Sequence, residues 1–452
     1  MYTFSKRIKV FALVLIILGA IGVIYGFMNS HKYQTVEDVK ELIAQEAAHH
    51  GDSHEVADAH QAATTDAHAT EASHAEAGDH HGASKEEQVL HQIHNRPLSA
   101  LYVAAFFFFM IALGVLAFYA VQWAAQAGWS PVTFRVMEAI TYYLLPGGLI
   151  VLAIAVFAGS DFFVWMKEGV TDPASENYDA IITGKSFWLN KAGFIIRGLV
   201  FIGGWSFYRY ITRKLSIAQD TAEDNSNYKK TFKWSVFFLL FFVYTESMMA
   251  WDWIMSMTPH WYSTLFGWYV FASMFVSAIT VIALMIIYLK SKGLMEFVND
   301  SHLHDLAKFM FGISIFWTYL WFSQFMLIWY SNIPEEATYF MTRIEHYKLP
   351  FFGMVVMNFV FPLLILMNSD YKRIPWFVVM AGIVILCGHY LDVFNMIMPN
   401  TVGDRWSIGI PEIGSVMLFG GLFLLTVFYA LSKAPLMPKR NPFIKESEQF
   451  HY

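Results

Sequence analysis

A few carboxylates and one imidazole stand inside stretches otherwise suited to lipid, and these are the groups that could do chemistry. Glu246 and Asp252, the latter between Trp251 and Trp253, lie in one apolar run; His389 and Asp392 lie in another, about one helical turn apart and so on one helix face. A carboxylate and an imidazole sharing a face can relay protons. An ionisable group within hydrocarbon costs about 2.5–3.5 kcal/mol even on lenient insertion scales, so each is a functional candidate by default. Glu138 near the inner end of a third run, Asp161 near its outer end, and Lys191 and Arg197 in the outer half of the next complete the set. Glu246 and His389 are the deepest. They are read as groups for proton conduction or quinone contact, with a satisfied interhelical hydrogen bond as the plainer alternative. For Glu138, Asp161, Asp252 and Lys191 the plainer reading is interfacial, reaching headgroups or loop backbone. Asp161, Asp252 and His389 are also the candidates to accept a proton from a quinol at the outer face.

Positioning such groups falls to long apolar helices. Hydrophobic residues make up 56% of the 452 residues and charged ones 15%, well under the roughly 25% of a soluble domain. A helix needs about 20 apolar residues to cross a hydrocarbon core about 30 Å thick. Ten stretches qualify: Val10 to Met28, Leu101 to Ala125, Val136 to Gly159, Phe194 to Tyr210, Trp234 to Ile254, Tyr262 to Leu289, Leu306 to Tyr330, Pro350 to Met367, Pro375 to Met396 and Pro411 to Leu431. The first follows Lys6, Arg7 and Lys9 but precedes no A-x-A cleavage site, so it is read as an uncleaved helix. Pro131, Pro350, Pro375 and Pro411 fit first-turn positions, with Ser130 as an N-cap, whereas Pro146 and Pro362 fall in mid-span and should kink their helices.

Lys and Arg concentrate in the N-terminus, in alternate loops (Arg209 to Lys233, Lys290 and Lys292, Lys372 and Arg373) and in the tail at Lys439, Arg440 and Lys445. The bias of short basic loops toward the cytoplasm then places both termini there. The expected organisation is a first transmembrane helix over 1–30, an external insert over 31–98, a nine-helix membrane region over 99–432 and a cytoplasmic tail over 433–452. Between Glu46 and Gln88 the insert is Ala, His, Glu and Asp with almost no large apolar residue, so it cannot bury a core. Its irregular His spacing reads as a solvated low-complexity arm rather than a metal site. Just before it, Thr35 to His49 reads as a short amphipathic helix with an acidic first turn.

The net charge of −6, with no basic patch, argues against nucleic acid. The single cysteine, Cys387, excludes an internal disulfide, a four-thiolate iron–sulfur cluster and a two-thioether haem attachment, and is read as a small buried apolar residue. His389 is the one histidine inside an expected span, which leaves a b-type haem without a second axial imidazole. No P-loop, H-E-x-x-H or G-x-S-x-G motif occurs. Aromatic residues reach 18%. Trp129, Trp165, Trp261, Tyr262, Trp329 and Tyr330 read as interface belts, and the runs Phe106 to Phe109 and Phe237 to Phe242 as lipid-facing or packing surface.

Four stretches are distinctive: Lys185-Ser-Phe-Trp-Leu-Asn190; Glu246-Ser-Met-Met-Ala-Trp-Asp252-Trp, continuing through Pro259-His260 to Gly267; Ile328-Trp-Tyr-Ser-Asn-Ile-Pro334-Glu335-Glu336; and Gly388-His389-Tyr-Leu-Asp392. Together they resemble the NrfD-like (PsrC-like) membrane subunits of alternative complex III, most of all its ActF branch, over the chain from about Leu101 onward. The resemblance implies an all-α integral membrane fold of ten transmembrane helices, with two four-helix bundles (second to fifth and sixth to ninth spans) and two peripheral helices. It implies a place in a bacterial inner-membrane quinol:cytochrome c oxidoreductase. There the partner subunits ActA, ActB, ActC, ActD and ActE would supply haem c and iron–sulfur clusters, a terminal oxidase could take the electrons, and this chain would hold no redox centre or metal. Its own part would be a proton path and scaffold, with a quinol site beside a partner's cluster as the alternative. A bare scaffold or a secondary transporter, the latter suggested only by Pro146 and Pro362 in matching positions of two halves, is the remaining reading.

Overall fold

The computed structural model describes residues 2–33, 35–54 and 84–451, so most of the expected His-rich arm lies outside the described residues. The described chain is helical: α1 (Lys6–Ser30), α2 (Val36–His54), α3 (Lys85–Ala124), α4 (Phe134–Ile140), α5 (Leu144–Ala158), α6 (Ala180–Gly184), α7 (Lys191–Gln219), α8 (Ser226–Trp253), α9 (Leu265–Ser291), α10 (Asp300–Ser331), α11 (Pro334–His346), α12 (Lys348–Val355), α13 (Phe361–Leu366), α14 (Pro375–Val402), α15 (Ile410–Leu431) and α16 (Ile444–Glu448). No strand occurs among the described residues.

Nine helices among the described residues are long and apolar enough to cross a membrane: α1, α3, the pair α4–α5, α8, α9, α10, the pair α12–α13, α14 and α15. The tenth expected span corresponds to α7. At 29 residues it has the length, but Lys191, Arg197, Arg209, Arg213 and Lys214 lower its apolarity. Those charges have a structural use. Arg197 pairs with Asp252 of α8 and Arg213 with Glu138 of α4, so α7 is fastened near both ends by the residues that make it polar.

The hub is α3, apolar on all sides and buried along nearly all of its span, in keeping with a helix enclosed by others. It packs against α5, α8, α9, α14 and α15, while α7 lies on α5 and α8, and α9 on α10 and α14. At the periphery α1 leans on α15 and exposes Phe11, Ile17, Ile21, Ile24 and Met28. Its approach to α15 is close because both surfaces are glycine: a Cβ on Gly19 would overlap the backbone of Leu418 and Gly414, and one on Gly414 the backbone of Gly22.

Two spans are broken where proline falls in mid-span. Pro146 is preceded by a 3-10 turn over Thr141–Tyr143, and Pro362 by a π turn over Val356–Val360. The cause is the same in each: proline has no N–H for the carbonyl four residues back, Tyr142 or Asn358, and its ring crowds that carbonyl, so the preceding turn tightens or widens. Pro131, Pro375 and Pro411 do open their helices.

Several expectations need correction. The helix of the second span extends back to Lys85, opened by a reciprocal capping box of Ser84 and Glu87, so the last stretch assigned to the insert, residues 85–98, is part of that helix. Ser130 does not cap with its side chain; its hydroxyl turns back to the Ala127 carbonyl at 3.1 Å. Cys387 is exposed, on the side of α14 turned away from its neighbours. Trp165 and Trp261, read as belt residues, are buried in the protein, the latter stacked on Tyr339 with centroids 4.2 Å apart. Helix α10 begins at Asp300, which brings His302 and His304 into that helix, so His389 is not the only histidine on a long apolar helix. The short helix expected from Thr35 is present as α2, with Thr35 and Asp38 exchanging backbone-to-side-chain bonds at its start.

Candidate functional site

Polar side chains gather in three places, and each gathers differently. Tyr2 meets Phe428, and Lys290 meets Asp300, at one end of the helices, here called the basic end. There Glu138 of α4 accepts from Arg135 (3.0 Å), Arg213, Ser216 (2.5 Å) and Tyr119 (3.1 Å). Arg135 also reaches Asp220 at 2.6 Å, so two guanidiniums face two carboxylates in a closed, charge-balanced set. Every lone-pair direction of Glu138 is engaged. This arrangement suits a tie between α3, α4 and α7 better than a site that loads and releases protons.

At the opposite end Asp252 receives Arg197 through Nε (2.6 Å) and Nη2 (3.1 Å), and the Trp188 indole N–H at 2.7 Å. The Arg197 guanidinium lies over the Trp188 ring, 4.2 Å from its centroid. Lys185 donates to the carbonyl of Pro259 at 2.6 Å, and His260 pairs with Asp179 at 2.7 Å. The stretch from Lys185 to Asn190 is therefore clasped to the stretch from Asp252 to His260. Asp161, nearby in sequence to this loop, is half-exposed and pairs with His91 at 3.3 Å, while its carbonyl takes the Asn95 amide at 3.1 Å. Asn190 is the N-cap of α7, accepting the Gly193 N–H at 2.7 Å, and Lys191 is the first residue of that helix.

The third gathering lies among α9, α10, α12–α13 and α14, and differs because no cation closes it. Asp392 accepts from the Tyr269 hydroxyl and, at 2.8 Å, from the Trp317 indole N–H. Its other neighbour is His389, whose Nδ1 is 3.5 Å away. That nitrogen also lies 3.0 Å from the Ser273 hydroxyl and 3.4 Å from the Asn358 amide. Both Asp392 and His389 are fully buried. Two polar atoms remain without a partner: Nε2 of His389 and Oδ1 of Asn358. The broken helix builds this geometry. The π turn before Pro362 carries Asn358, and Gly388 admits it, since a Cβ at 388 would collide with the Asn358 amide. The phenol is hydrogen-bonded to the carboxyl, and the imidazole lies within ion-pair distance of it, so exchangeable protons and spare capacity stand together, which is what a relay requires.

Glu246 stands apart. It is buried on α8 with Oε1 lacking a partner, and no hydrogen bond joins it to Asp392 or His389 among the described residues. One turn back, Phe242 meets Phe271 of α9 with centroids 6.2 Å apart, which puts Glu246 near the α8–α9 seam. Among the described residues no group of three or more His, Cys, Asp or Glu is arranged to hold a metal ion.

Tyr269, Trp317, Ser273 and Asn358 are not singled out by sequence, nor are Arg135 and Arg343. Uncharged polar residues in an apolar run look like ordinary helix residues; the one available signal is Asn358 standing four residues before a mid-span proline. Arg96 is likewise inconspicuous in the sequence, although its bidentate pair with Glu412 (2.9 and 3.1 Å) ties α3 to α15. No protein-family model matches the chain, and no curated protein matches it at a significant level.

Proposed function

We propose that this chain is an integral membrane subunit of a quinol:cytochrome c oxidoreductase of the alternative complex III type, in the bacterial inner membrane, contributing a proton path and scaffold. The observation that carries the proton role is Asp392: a fully buried carboxylate with a phenol, an indole and an imidazole around it and no paired cation. Glu138 and Asp252 are each paired with arginine, whereas Asp392 has no such partner. Tyr269, Asp392 and His389 then form the relay, with Glu246 as a second protonatable group near the α8–α9 seam.

The assignment to the complex rests on the four resembling stretches, and it is supported by the way two of them are clasped at Asp252 and a third builds the Asp392 cluster. In this reading α7 crosses as the tenth span. Helices α3, α4–α5, α7 and α8 make one four-helix bundle, α9, α10, α12–α13 and α14 the other, and α1 and α15 stand at the side. The basic end faces the cytoplasm, with both termini there. Electrons travel through haem c and iron–sulfur clusters of the partner subunits, and quinol binds where a partner supplies the acceptor.

The test uses the assembled complex in liposomes with a pH-sensitive dye. Asp392→Asn lowers the protons released per electron passed to cytochrome c while assembly and electron flow persist; an unchanged proton yield sinks the proposal. Glu246→Gln in the same assay reports whether the second acid shares the path.

A further inference from the structure

At the basic end, two cations stand over a pair of exposed tyrosines, and neither meets a carboxylate among the described residues. Arg209 of α7 lays its guanidinium over the ring of Tyr142, 4.3 Å from the centroid, and Lys433, just past the end of α15, holds its ammonium over Tyr429 at 4.5 Å. The two rings meet edge to face with centroids 6.3 Å apart, so the four residues join α7, the 3-10 turn before Pro146 and α15 in one corner. Cation–π attraction holds each cation in place but leaves its charge unneutralised. The carboxylates of this end, Glu138 and Asp220, are already engaged by Arg135 and Arg213. Arg209 keeps its charge at any accessible pH, and its buried Nε has no hydrogen-bond partner. One turn back along α7, the buried hydroxyl of Ser206 also has none. Buried polar atoms are nearly always satisfied, so an anion with several acceptor oxygens is what this corner lacks.

Its surroundings indicate what carries that anion. Tyr142, Leu145 and Leu149 are all exposed, and their spacing of three and four residues puts them on one helix face. An apolar stripe therefore leads from the cations along a helix pair that is long and apolar enough to cross a membrane. A free phosphate gains nothing from Leu145 and Leu149; a phospholipid matches both the charge and the stripe.

We propose that this corner binds one anionic phospholipid, its phosphate held by Arg209 and Lys433 and an acyl chain laid along Leu145 and Leu149. Arg209 is the main anchor, because its planar fork can give two parallel hydrogen bonds to phosphate oxygens, whereas Lys433 acts as a point charge. Basic pockets between spanning helices suit such headgroups on the cytoplasmic side, which is where the reading of the basic end places this one. The site is independent of the proton path.

The test uses the full-length protein, stripped of lipid in detergent and titrated with phosphatidylglycerol or phosphatidylcholine under native mass spectrometry. The wild type takes up one phosphatidylglycerol well before any phosphatidylcholine; equal uptake of the two overturns the proposal. Each basic contact strengthens binding about fivefold, so Arg209→Gln and Lys433→Gln each lose that much, and unchanged uptake in both refutes the site. Lys433 is exposed and lies outside the helices, so its variant keeps the test open should Arg209→Gln fail to fold. Lys214→Gln, which changes an exposed cation further along α7 and outside the corner, leaves uptake as it was; an equal loss there means diffuse attraction and no site. Inorganic phosphate in excess leaves the lipid bound, and displacement by it would assign the corner to a free anion instead.

Discussion

Replacing Glu138 by glutamine removes one of the two negative charges that face Arg135 and Arg213, so a balanced set of two guanidiniums and two carboxylates acquires a net charge of +1. Arg135 cannot turn to water, being 1% exposed on its side chain, whereas Arg213 at 15% keeps partial access. A glutamine oxygen can still accept from Ser216 or Tyr119, but its amide group must then point toward an arginine, donor against donor. Removing one partner of a buried pair costs about 3–5 kcal/mol, and the partial access of Arg213 puts the expected loss at the lower end, about 3 kcal/mol. The assay is reversible unfolding in mixed micelles with increasing dodecyl sulfate, followed by total tryptophan fluorescence, to which Trp123, stacked on Phe134 with centroids 5.2 Å apart, contributes. The double variant Glu138→Gln, Arg213→Gln restores charge balance and recovers part of the loss, a coupling of about 1–3 kcal/mol. A single-variant loss under about 1 kcal/mol refutes the reasoning, because it means that water already screens the set. In the assembled complex the same variant leaves proton yield per electron unchanged, which separates a tie from a relay.

Two further outcomes follow from other parts of the structure. Burial pushes the Asp179 carboxyl up, but the N–H of Ile182, the charge of His260 and the N–H of Ile181 outweigh it, so the carboxyl sits below its usual range. A depressed folded-state value gives stability that is complete above the ordinary carboxylate pKa of about 3.9 and is lost as pH falls below it. Amide exchange over Ala180–Gly184 therefore speeds up below about pH 4 in the wild type, and Asp179→Asn shows the fast exchange without that pH dependence. At the α1–α15 seam, Gly19→Leu drives a side chain into the backbone of Leu418 and Gly414, a clash beyond the usual 1–3 kcal/mol of overpacking because backbone cannot give way. After protease nicking of the segment between α2 and α3, the α1 fragment stays with the wild-type protein and separates from the variant; co-elution from both would contradict the packing.

Helix content is legible in the sequence because a run of about 20 apolar residues has few alternatives in lipid, and nine of the expected spans are helices of that kind. The count differs at α7, where local composition and tertiary use disagree: Arg197 and Arg213 lower the apolarity of the segment and also fasten it, and only the second fact needs coordinates. The start of α3 at Lys85 escapes a hydropathy reading because a helix that continues past the bilayer carries no such signal; Ser84 and Glu87 do carry a capping one. At the candidate site, His389 and Asp392 are readable from their spacing alone. Their partners are not, since Tyr269, Trp317 and Asn358 come from three other spans and nothing in the order of residues says which spans meet. Cys387 shows the limit from the other side: being small and apolar says nothing about which way a helix face turns.

The glycine-lined contact between α1 and α15 also bears on how the protein is made. Helix α1 has α15 as its main neighbour, and seven of the nine long apolar helices or helix pairs among the described residues lie between the two in the chain, so α1 waits in the bilayer, with most of its surface in lipid, while the intervening helices are inserted. Independent insertion followed by lateral docking suits a helix whose residues are apolar nearly all round and whose seam needs only close approach. A chain that stops before Ile410 leaves α1 without its main partner, a ready signal for membrane quality control.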